Sequence, residues 1–162
     1  MKGFDYASNN LYFVTSCVQD RVCCFGNVVG TGRDLSVHDD KSVKMELNEF
    51  GIIVNNQLQW LEHQYPYVVL HHYIVMPNHI HAIIEIDSMH TNSLKIKSLS
   101  ELMGAFKTKS SKLIHLAGYP DFKWQRSFHD HIIKDEKAYL NISNYIETNP
   151  ERWEKDKFYN TL

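Results

Sequence analysis

Nowhere does the chain approach the roughly 18 consecutive apolar residues of a membrane span, and its first residues lack the basic-then-apolar pattern of a secretory leader. Both absences predict a cytoplasmic protein that does not engage a membrane. Cysteine is scarce: Cys17, Cys23 and Cys24 are an odd number without a C-x-x-C pair. That argues against a disulfide scaffold, and Cys17 and Cys23, amid Val, Phe and Thr, read as reduced, small core or half-buried residues. A dominant charge sign is missing too, the net charge being -2. No repeat, low-complexity tract or composition break divides the sequence. With 43% hydrophobic residues among 162, it is long enough for one core and too short for two. A single domain over residues 1–162 is therefore expected.

What is there is unevenly distributed. Residues 88–134 hold eight basic side chains against three acidic ones, a local excess of five in a slightly acidic chain. A basic face of this kind can steer a phosphate backbone; on charge alone, an ordinary solvated helix face accounts for it equally well. Strand character is predicted for 11–18 and, more briefly, 22–29. Gly30, Gly32 and the polar run 34–44 predict a loop or irregular hairpin. A helix is predicted over 45–63, with Asn48 as a cap and Tyr65-Pro66 as its end. Two strands, 68–76 and 79–86, are broken at Pro77-Asn78. After a polar linker over 87–97, the Ser98-Leu-Ser-Glu101 capping box opens a second helix, which Gly118 closes. A strand over 122–134 and a helix from Asp135 to about Asn149 complete the order. This is an α+β chain, and its two β-α-β halves predict a ferredoxin-like (RRM-like) sandwich. It has an antiparallel sheet, helices on one face and a C-terminal helix bearing a tyrosine.

The segment YIVMPNHIHAIIEI, residues 73–86, places His79 and His81 two apart in a strand, hence on one face. Paired imidazoles suit a divalent transition metal, although two hydrogen-bonded histidines near a sheet end would look the same in sequence. His129 and His131, flanking Asp130, form a rival pair whose central residue is charged and which no turn precedes. His71 and His72 are adjacent, so a regular strand sends them to opposite faces. In the last helix, NISNYIETNP over 141–150 puts Tyr145 and Asn149 at i and i+4, with Asn141 on the same face. Alone, Tyr145 reads as a core-edge residue and Asn149, before Pro150, as a helix terminator.

Together, MPNHIH and YIETNP, in that order and about 65 residues apart, resemble the single-tyrosine HUH transposases, most closely the REP-associated tyrosine transposases. The likeness runs nearly end to end, through FDYASNNLYFVTSCVQDR, MELNEFG, LMGAFKTKSSKLI and KWQRSFHDHIIKDEKAYLNISNYIETNPERW. It implies metal-dependent nicking and rejoining of single-stranded or hairpin DNA through a 5′-phosphotyrosine. Carried over, Tyr145 is the nucleophile, His79 and His81 are metal ligands, and Asn149 falls where the family often supplies a third. Mg²⁺ or Mn²⁺ is the cation implied, though imidazoles also accept Zn²⁺. His131 and Asn141 are accessory candidates; Lys107, Lys109, Lys112, Lys123 and Arg126 are candidate phosphate contacts, and Trp124 a base-stacking or a core residue. Both monomers and helix-exchanged homodimers fit such a family. Two other readings use the same residues: a metal-dependent nuclease with no covalent step, and an idle nucleic-acid-binding module on an RRM-like sheet.

Overall fold

The computed structural model describes residues 10–30, 43–87 and 95–161. Its elements are strands β1 (Asn10–Cys17), β2 (Gly26–Val29) and β3 (Lys44–Leu47), helix α1 (Glu49–Gln64), strands β4 (Val68–Val75) and β5 (His79–Ile86), helix α2 (Leu99–Leu116), strand β6 (His129–Ile132) and helix α3 (Glu136–Glu147). Short 3-10 turns at Gln19–Arg21 and Pro150–Lys155 follow β1 and α3. Four strands form an antiparallel sheet in the order β4-β5-β1-β6, while β2 and β3 pair separately. This is the ferredoxin-like arrangement expected. Gly32, most of the run 34–44 and much of the linker 87–97 lie outside the described residues. Among those described, no helix is long and apolar enough to cross a membrane.

Helices form where the local chemistry stops the preceding extended chain. Asn48 accepts the Gly51 N–H on its side chain, and Ser98 and Glu101 exchange both bonds of a capping box. Asp135 accepts from Ala138 N–H at the start of α3. The first helix begins four residues later than predicted. Residues 44–47 are a strand instead, because each pairs with a residue of β2, Gly26 facing Leu47. The Asn48 N–H then bonds the Phe25 carbonyl, leaving its side chain free to cap. The strand predicted over 122–134 shrinks to His129–Ile132, with one isolated bridge between Val18 and Trp124. Between them, Lys107 Nζ donates to the Gln125 and Ser127 carbonyls, while the Gln125 N–H still bonds the Cys17 carbonyl at the end of β1.

The sheet separates two apolar layers. Ile80, Ala82, Ile84 and Ile86 of β5 pack with Val54 and Leu58 of α1 and Leu102 and Phe106 of α2. The other face of the sheet packs Leu11 and Ile83 against Tyr139 and Ile146 of α3. Hence α1 and α2 share one face, and the tyrosine-bearing helix covers the other. β4 carries a bulge: the register jumps from Leu70↔Ile84 to Tyr73↔Ala82. This corrects the expectation for His71 and His72, since the extra residue turns both rings toward Tyr139, at 5.7 and 6.2 Å. His71 Nε2 also meets Glu85 at 2.8 Å, and His72 Nδ1 meets Glu147 at 3.1 Å.

Candidate active site

Strand alternation sends His79 and His81 to the α3 face, their rings 4.6 Å apart. Each is oriented by its Nδ1. Asn78 Nδ2 donates to the Phe158 carbonyl at 2.8 Å and the Arg21 carbonyl at 3.1 Å, which fixes which end of the amide is oxygen. Its Oδ1 can then only accept, so the 2.7 Å contact with His79 Nδ1 is a donation by the ring. His79 Nε2 is left as a bare acceptor. His81 Nδ1 shares a 2.7 Å hydrogen bond with the Thr15 hydroxyl of β1.

Both Nε2 atoms are buried without a hydrogen-bond partner, and so are both polar atoms of the Asn149 carboxamide. Asn149 is fully buried in the turn after α3, against both His79 and Tyr145. Buried polar atoms are rarely left unpaired, and four in one place need an account. Burial, more than any other influence, lowers the His79 pKa to about 3 and holds that of His81 well below the ordinary value. Both rings are therefore neutral at pH 7, the state a metal requires. Among the described residues, no three His, Cys, Asp or Glu side chains gather around a cation position. The third group in this set is an amide.

Tyr145 lies half-buried on α3, its ring 5.3 Å from that of His81 and edge-on to Phe13 at 6.2 Å. The Arg152 guanidinium sits 4.9 Å over the ring, with Nη2 donating to the Tyr145 carbonyl and the Thr148 hydroxyl. Burial pushes the Tyr145 hydroxyl pKa up, and Asp156 acts in the same sense; Asn149 and Arg152 oppose them. In front of Tyr145 opens a cavity of about 410 Å³, which His129, His131, Asn141 and Lys157 also line. The residues the sequence singled out as His79, His81, Tyr145, Asn149, His131 and Asn141 thus meet in one region.

The candidate phosphate contacts do not. Lys107, Lys109 and Lys112 belong to α2, on the far face of the sheet. Lys107 is half-buried on its two carbonyls, Lys109 stands 4.0 Å over the Trp60 ring, and Lys112 is exposed. Lys123 and Arg126 are exposed in the segment that follows. Trp124 is a core residue, packed with Phe25, Phe106 and Phe122 and donating to Ser110 Oγ. The cations that do approach the histidines are Arg21 and Lys157, joined at Tyr145 by Arg152. Sequence reasoning does not reach these three, nor Thr15 and Phe158. Only Asn78 carries a local signal, being next to His79, and in sequence it has the look of a turn residue.

No protein-family profile matches the chain. A Haemophilus influenzae protein, described as uncharacterized, is 30% identical over 181 residues, which span 98% of this chain and 90% of its own. Among solved structures, a REP-associated tyrosine transposase bound to a REP hairpin superposes with a TM-score of 0.57 at 18% identity, covering 94% of this chain and 74% of the other. A Deinococcus radiodurans R1 protein, proposed to be a transposase, superposes with a TM-score of 0.53 at 17% identity, covering 91% and 96%. At such identities the likeness to the two structures is one of fold.

Proposed function

This chain belongs to the same family as the Haemophilus influenzae protein, and we propose that it nicks and rejoins single-stranded DNA, hairpin-bearing DNA included, through a covalent bond to Tyr145. The observation that carries this reading is the group of unpaired buried atoms on His79, His81 and Asn149, beside a tyrosine that faces a cavity. The fold shared with a protein bound to a REP hairpin supports DNA as the partner.

Two imidazole nitrogens and one carboxamide oxygen fit a divalent cation, Mg²⁺ or Mn²⁺, which His79, His81 and Asn149 would hold. Once bound, it would polarise a non-bridging oxygen of the phosphodiester and draw charge from phosphorus. Asn78 and Thr15 keep the two rings aimed, and burial keeps them free of protons. The Tyr145 hydroxyl, protonated at neutral pH, loses its proton to solvent as its oxygen bonds to phosphorus. The bond from phosphorus to the 3′-oxygen breaks, and that oxygen leaves as a 3′-hydroxyl after taking up a proton. The 5′-phosphotyrosine conserves the bond energy, so attack by a 3′-hydroxyl of the same or another strand reverses the step without ATP. Tyr145 lies against His81 of its own chain, which supports a centre built within one chain.

A labelled hairpin oligonucleotide with a single-stranded flank, incubated with Mn²⁺, should yield a protein–DNA adduct whose mass places it on Tyr145. Tyr145→Phe should abolish both adduct and cleavage. Undiminished cleavage by that variant would replace this reading with the nuclease lacking a covalent step.

A further inference from the structure

The cavity before Tyr145 is much larger than one phosphate needs. Its volume, about 410 Å³, is in the range of roughly 300–1,000 Å³ typical of small-molecule sites. Its walls divide by chemistry. Phe13, Ile142 and Phe158 are apolar, while Asn141, His129 and His131 bring hydrogen-bonding groups. The histidines reach it through register: on β6, His129 faces Thr15 and His131 faces Phe13, the β1 residues that touch His81. The second His-x-His therefore shares a face with the first. No third His, Cys, Asp or Glu joins it as a metal set among the described residues.

We infer that this cavity is a nucleobase subsite, which takes the unstacked base of a nucleotide flanking the phosphate presented to Tyr145. The inference rests on the proposed function, because a phosphodiester at Tyr145 necessarily carries a nucleoside on each side. Aromatic and aliphatic walls accept the flat face of any base. Asn141 offers an adjacent donor and acceptor, the pattern that reads a base edge by two hydrogen bonds. His129 and His131 add groups able to donate or accept. Asn141 is then a specificity-determining residue, and the base next to the cut is chosen by the protein itself.

The test is equilibrium binding of five pentadeoxynucleotides, TTXTT with X as A, C, G, T or an abasic site, to the full chain carrying Tyr145→Phe, without divalent metal. At least one base should bind about fivefold or more tightly than the abasic probe. Adding Asn141→Ala, an exposed position whose replacement leaves the core untouched, should level the differences among the four bases while the abasic probe binds as before. Equal binding of all five probes, no binding, or a base preference unchanged by Asn141→Ala would overturn the inference. Adduct formation on Tyr145 is measured separately. Base discrimination without an adduct would sink the strand-transfer reading and spare the subsite; an adduct without discrimination would do the reverse.

Discussion

Asn78 does two jobs with one carboxamide. Its oxygen fixes the tautomer of His79, and its nitrogen ties that ring to the carbonyls of Arg21 and Phe158. Partners of this kind commonly change metal affinity by about 10–100-fold when removed. Asn78→Ala should therefore weaken Mn²⁺ binding by about that factor, measured by electron paramagnetic resonance titration, while Tyr145→Phe leaves it nearly unchanged. Equal affinity in Asn78→Ala would mean the ring is held by something else. Acid provides a second check on the same rings. In the folded, metal-free protein His79 titrates near 3 rather than 6.5, and His81 is shifted in the same direction. Below about pH 6.5 the unfolded chain takes up protons that the native state refuses, so unfolding is favoured as pH falls. The stability that His79 contributes is complete above pH 6.5 and declines toward pH 3, by at most about 1.4 kcal/mol per pH unit, and His81 acts in the same direction. With chelator present, the melting temperature should drop more steeply between pH 6.5 and 5 in the native protein than in His79→Gln. Parallel slopes would contradict the burial argument.

Elements differ in how far their sequence alone defines them. β5 is legible because period-two alternation is a local property, and it puts both site histidines on one face. α3 is legible because Asp135 caps it and Tyr145 and Asn149 stand one turn apart. β3 is not, since Met45, Glu46 and Leu47 suit a helix as well as a strand and only the pairing with β2 decides. The shortening of β6 is equally hidden: it goes with Lys107 reaching across 18 and 20 residues to two carbonyls. The same argument explains the cations at the site. Lys157 and Phe158 reach the site because Asn78, Arg21 and Asn160 bond the chain end back onto the turn after β1, across 80 to 139 residues. No window of sequence contains that information. The bulge at His71 and His72 belongs with them, because a register jump shows only once the partner strand is known.

At the scale of the molecule, charge is divided between the two faces of the sheet. A net charge of -2 hides Arg21, Arg152 and Lys157 around the site and the α2 lysines behind it. A short single strand confined to the site should respond to Lys157→Glu with weaker binding and a salt slope shallower by about 0.7 for each phosphate no longer neutralised. It should ignore Lys112→Glu. A longer hairpin substrate, able to pass around the β6 edge, should respond to both substitutions. Anisotropy titrations at several salt concentrations distinguish the two cases, and sensitivity of the short strand to Lys112→Glu would mean that it binds elsewhere. The sheet itself is a partition. On one side lies the large apolar layer of α1 and α2, and on the other a small one that seats α3 and the tyrosine. Variation can therefore proceed around Tyr145 without disturbing the larger layer on the opposite side. On the proposed function, a lineage built on this plan is free to alter the strand it acts on while keeping the scaffold that presents the tyrosine.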